Sequence, residues 1–110
     1  MRISLVLLLT VTLATAAAAQ SKSRVYTGVI SESMCGSSHT SMGMGPDPKC
    51  IVECVRVDKT VKYVLLDGKT SYILSDQQTP QRFAAKRVKV TGVHYAKTNV
   101  LKVEKIEEVK

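Results

Sequence analysis

Six sulfur-bearing side chains crowd into 21 residues of this 110-residue chain: Met34, Cys35, Met42, Met44, Cys50 and Cys54, with His39 among them. No cysteine lies elsewhere, the one other methionine is Met1, and the one other histidine is His94. Thiolate and imidazole suit Zn²⁺, and Cys35, His39, Cys50 and Cys54 make a complete Cys₃His set. Their spacing, Cys-x₃-His-x₁₀-Cys-x₃-Cys, is looser than the knuckles of zinc ribbons. Cys50 and Cys54, four apart on a helix, would point the same way and could chelate one ion. Thioether sulfur favours Cu(I), and Met34, Met42 and Met44 lie within reach of the same stretch. A soft metal, zinc or copper, is the first expectation.

A disulfide competes with it. Outside the cytosol thiols tend to pair, and small secreted domains need staples. Cys35 joined to Cys50 or Cys54 would pin the segment down, with a loop-closure contribution of about 3 kcal/mol. Three cysteines cannot all pair within one chain, so one thiol is left reactive, inert, or able to link two copies into a homodimer. Thiol catalysis, with His39 activating a cysteine, is the weakest reading. There is no Cys-x-x-Cys motif, and no acid is placed to orient His39.

The compartment is read from the first residues. Arg2 supplies a positive start, Ile3 to Leu13 an apolar run, and Ala16 to Ala19 small residues ahead of Gln20. That is the layout of a secretory signal peptide, residues 1–19, with cleavage before Gln20. The run is short of the about 20 apolar residues of a membrane span. The expectation is an exported bacterial protein, periplasmic or secreted, with no transmembrane segment after cleavage.

About 90 residues then remain as a single domain, 20–110, with a marginal core. Sixteen basic groups face nine acidic ones, a net charge of +7 that falls to +6 without Arg2. The lysines are spread along the chain, which argues for solubility and weak attraction to polyanions. No nucleic-acid partner is expected.

The segment must be held by something, and the flanking sequence reads as strands. Arg24 to Ser31 is β-branched and aromatic, with Gly28 marking a bulge or bend. Residues 32–49 lose strand character, and Asp47-Pro48 starts a short helix to about Arg56. Thr60–Leu66 and Thr70–Leu74 read as strands around an Asp67-Gly68 turn. Ser75–Lys86 holds one or two helical turns. Arg87–Val93 alternates cleanly, and a last strand begins at Val100, with either a bulge near Glu104 or an early end before Ile106.

Strand, segment with helix, strand, strand, short helix, strand, strand is the order of a five-stranded OB-type barrel, a mainly β fold. The second short helix falls between the third and fourth strands. Its expected interior is Val25 or Tyr26, Val29, Tyr63, Leu65, Tyr72, Leu74, Val88, Val90, Leu101 and Val103. With no Trp and one Phe, the four tyrosines, Tyr26, Tyr63, Tyr72 and Tyr95, are needed first as core and only second as a stacking platform. His94 reads as a surface residue, and Glu107-Glu108 as a solvated tail.

Gly28-Val29-Ile30-Ser31, Ser33-Met34-Cys35-Gly36, His39, Met42 and Cys50-x₃-Cys54-Val55 together resemble a group of small exported bacterial proteins of unknown function. So do Tyr63-Val64-Leu65 and Lys86-Arg87-Val88-Lys89-Val90-Thr91-Gly92. The resemblance covers most of residues 20–110 and is most specific in its Cys/His segment. It departs at Glu32-Ser33, where the pattern leads one to expect Asp. It implies an OB-like β-barrel with Cys35, His39, Cys50 and Cys54 as motif positions, and no reaction. A base, a nucleophile and a stabilising pocket cannot be assembled from the residues, so a binding module is expected rather than an enzyme. The alternative is a structural or ligand-binding barrel stapled by a disulfide, with weak polyanion affinity.

Overall fold

The computed structural model describes residues 22–34 and 48–110. The chain there forms β1 (Arg24–Glu32), α1 (Pro48–Val57), β2 (Tyr63–Asp67), β3 (Thr70–Leu74), a 3₁₀ helix (Thr79–Phe83), β4 (Arg87–Tyr95) and β5 (Val100–Glu108). The fold is mainly β, one sheet whose order β1-β2-β3-β5-β4 returns to β1 in a barrel-like ring. β1 makes the closure possible by serving two neighbours. Its residues 24–29 pair with β4, and 29–32 pair with β2, both antiparallel. The β3–β5 contact, Ile73 beside Val100 and Leu74 beside Leu101, is parallel.

Alternation along each strand sends one row of side chains inward. Ile30, Leu65, Leu74, Val88, Val90 and Leu101 are buried to within 1%. α1 adds the fully buried Ile51, while Phe83, Val55 and Ile106 pack around the core.

The inward phase of β1 differs from expectation. Ile30 is in the core and Val29 is not, while Val25 is 61% exposed. The inner row is Tyr26, Gly28, Ile30 and Glu32, because pairing fixes the phase and a one-residue slip would expel Ile30. Gly28 carries no bulge: its register against Val88 is unbroken. A Cβ there would lie 2.5 Å from the Leu66 carbonyl oxygen, so glycine is required where β2 comes in close. β2 begins at Tyr63 rather than Thr60. Asp58 captures Thr60 through its backbone N–H (2.9 Å) and hydroxyl (2.6 Å), and this Asx turn takes the residues that propensity would give to a strand.

A bulge does interrupt the last strand. Thr91 faces Lys105 and Gly92 faces Val103, which leaves Glu104 as the extra residue. The insertion resets the phase so that Ile106, opposite Val90, packs on the core. Glu107 and Glu108 are no tail. They end β5 opposite Lys89 and Val88 and are exposed, with Glu107 bridged to Lys105 at 2.7 Å.

One side chain completes the sheet where β3 has ended. Gln77 accepts the Tyr63 N–H (2.7 Å) and donates to the carbonyls of Tyr63 (3.0 Å) and Leu74 (2.8 Å). It acts as a missing strand residue beside β2. Gln77→Ala strands those backbone groups in a half-buried place and is expected to cost about 2 kcal/mol. With a slope near 1 kcal/mol per molar, the urea midpoint should fall by roughly 2 M. An unchanged midpoint would mean that water replaces the amide without loss.

Candidate functional site

Two opposite ends of the ring carry side chains that can do chemistry. At the first, β1 ends on Glu32, whose side chain is fully buried. Burying a carboxylate is costly unless it is hydrogen-bonded, and Glu32 accepts the Met34 N–H at 2.6 Å. Ser33 ties the same point to the approach of β2. Its N–H donates to Lys62 O and its Oγ accepts the Lys62 N–H, both at 2.9 Å. The chain thus leaves β1 from a fixed root with Met34 61% exposed.

The described chain resumes with α1 at Pro48. Pro48 at the first turn suits a helix start, and Ile51 anchors the helix to the core. Glu53 and Arg56 pair at 2.7 Å on the solvent side. The hydrogen bond and charge of Arg56 hold the Glu53 carboxyl below its ordinary range. Cys50 and Cys54, one turn apart, are both half-buried and are not bridged to each other. Their i, i+4 placement puts both sulfur atoms on one face of α1.

Of the proposed ligands, the structure therefore places Cys50, Cys54 and Met34. Cys35, His39, Met42 and Met44 lie outside the described residues, as do the Asp47 cap and residues 1–19. Among the described residues, no three His, Cys, Asp or Glu side chains gather as a metal site would need. Nor is any described helix long and apolar enough to cross a membrane.

The opposite end was missed as a site. Tyr26 of β1, Tyr72 of β3 and His94 of β4 meet edge to face there. The ring centroids are 5.3 Å apart for Tyr26–Tyr72 and 4.9 Å for Tyr72–His94. His94 is neither bare surface nor core. Its Nε2 lies 2.9 Å from Asn99 Oδ1, and Asn99 Nδ2 donates to Ser71 O at 2.6 Å. Asn99 sits in the left-handed region, φ 57°, which asparagine tolerates better than most residues. Beside the rings, Lys22, Arg24, Tyr26 and His94 line a polar pocket of about 240 Å³. Of the tyrosines, Tyr63 alone is fully core, and burial raises its phenol above the ordinary range. Tyr95 is 47% exposed. The signal in the sequence was the period of two from Lys22 to Ile30, but β4's contribution depends on register.

Comparison with protein-family models, curated proteins and solved structures finds no match to this chain.

Proposed function

We propose that the protein is an exported OB-like barrel that presents a soft-metal site, for zinc or copper, built from Cys35, His39, Cys50 and Cys54. The observation that carries this reading is the pair Cys50 and Cys54, half-buried on α1 and unbridged to each other. They follow directly on a segment of the sequence that holds the third thiol and an imidazole. The order of the strands, with β1 shared and β3 parallel to β5, supports the OB-like assignment. It also makes the connection between β1 and β2 a natural place for a binding segment. The role is that of a binding module, and no reaction is assigned to it.

The second reading is a disulfide from Cys35 to Cys50 or Cys54, and the same half-buried helix position favours it. Mass separates the two. Protein prepared from the periplasm without chelator should show three free thiols and a native mass increment that disappears on denaturation. One free thiol, a loss of two hydrogens and no increment would leave a stapled barrel, and the metal site would fall.

A further inference from the structure

We propose that Lys22, Arg24, Tyr26 and His94 form a binding site for an acidic saccharide, at the end of the ring remote from α1 and independent of any metal. The inner row of β1 carries the argument. Continued outward from Ile30 it reads Gly28, Tyr26, Arg24 and Lys22, passing from core through an aromatic wall to two cations. Arg24 stands opposite Gly92 of β4, the strand that also carries His94. The 240 Å³ pocket opens among these residues, and none of those lining it is acidic. Two basic side chains lining one pocket with no acid in the lining favour an anion, and the guanidinium suits the two oxygens of a carboxylate.

The walls are held in advance. Asn99 fixes His94 and is itself fixed to β3 through Ser71. Ser23 donates its hydroxyl to the bulge residue Glu104 at 2.8 Å, which pins the start of β1 to β5. Fixed side chains lose little freedom on binding. The three rings are inclined to one another by 61°, 64° and 84°, so no two form a parallel slot for a flat base. A puckered ring with one apolar C–H face, several hydroxyls and a carboxylate matches a single aromatic wall, an imidazole and two cations better. A uronic acid residue within a polysaccharide has that chemistry.

The test is titration of the full chain with a galacturonate trisaccharide at low salt, in the presence of chelator. Amide shifts and calorimetry would be read together. Saturable binding is expected, with shifts at Tyr26 and His94. Arg24→Ala and Lys22→Ala should each weaken it about tenfold, the loss of one charge-assisted contact. Both side chains are exposed, so the variants keep the fold. Arg87→Ala removes an equal charge elsewhere on the surface and should leave affinity unchanged. Equal losses in Arg87→Ala would reduce the effect to overall charge and overturn the site. So would the absence of saturation, or equal affinity for inorganic phosphate or a single-stranded DNA oligomer. Because chelator is present throughout, failure here says nothing against the metal site.

Discussion

Gly92→Ala is expected to destabilise the protein by about 3 kcal/mol or more, at the upper end of what overpacking costs. A Cβ on residue 92 would lie 2.1 Å from the carbonyl oxygen of Lys102 and 3.0 Å from its carbon. Those atoms are backbone of β5, held by ladder bonds on both sides of the bulge, so they cannot swing aside as a side chain would. Moving them means opening the β4–β5 pairing, which runs through eight residue pairs from Val88–Glu108 to Tyr95–Val100. For a domain of this size the melting temperature should fall by roughly 12–24 °C. Lys102→Ala is the control. Its side chain is exposed and should cost within about 0.5 kcal/mol, since the obstacle is the carbonyl and not the lysine. If Gly92→Ala melts with the parent protein, β5 is straight at Glu104 and Ile106 is not in the core.

The bulge marks where the sequence stops being legible. Ile106 falls out of the period set by Leu101 and Val103, and that misfit announces a bulge or an ending without choosing between them. The choice lies with Gly92 on another strand, because only glycine permits so close an approach. β1 is harder still. Its outward row, Val25, Thr27 and Val29, is more β-branched than its inward row, Tyr26, Gly28, Ile30 and Glu32. Hydrophobic alternation therefore points the wrong way, and burial of Ile30 against Leu65 and Val88 decides. β3 and the Asp67-Gly68 turn carry their signals locally and needed no partner to be seen. β2 lost its first three residues to Asp58, whose side chain competes with the ladder for the Thr60 N–H.

The candidate sites divide along the same line. The sulfur and imidazole donors are conspicuous as composition, and the helix that holds Cys50 and Cys54 is signalled by Pro48. The pocket of Lys22, Arg24, Tyr26 and His94 is not. Its members come from β1 and β4, and nothing local to either strand reveals that Arg24 stands across from Gly92. Glu32, too, is an acid in an otherwise apolar inward row, and its burial shows only once the strand's phase is known.

His39→Ala is expected to weaken Zn²⁺ binding by more than the about 10–100-fold that removal of a mere outer-sphere partner costs. The proposed four-ligand site would lose a direct protein bond, leaving three thiolates and a fourth position open to water. Free zinc at a hundred times the parent dissociation constant should stabilise the folded protein by about 2.7 kcal/mol. That gain should vanish in His39→Ala and in the double variant Cys50→Ser, Cys54→Ser. His94→Ala supplies the contrast, because its ring is bonded to Asn99 at the other end of the ring of strands and should leave zinc affinity alone. A stapled barrel predicts a different pattern: no zinc stabilisation in any of these proteins, and loss of stability only where a bonded cysteine is changed. The metal itself can then be read from the methionines. Met34 is 61% exposed, so replacing it together with Met42 and Met44 by alanine removes thioethers without emptying the described core. If the site is tuned for Cu(I), that triple change lowers cuprous affinity and leaves zinc affinity where it was. If both affinities stay put, the ligands are the three thiolates and the imidazole, and zinc is the ion they suit.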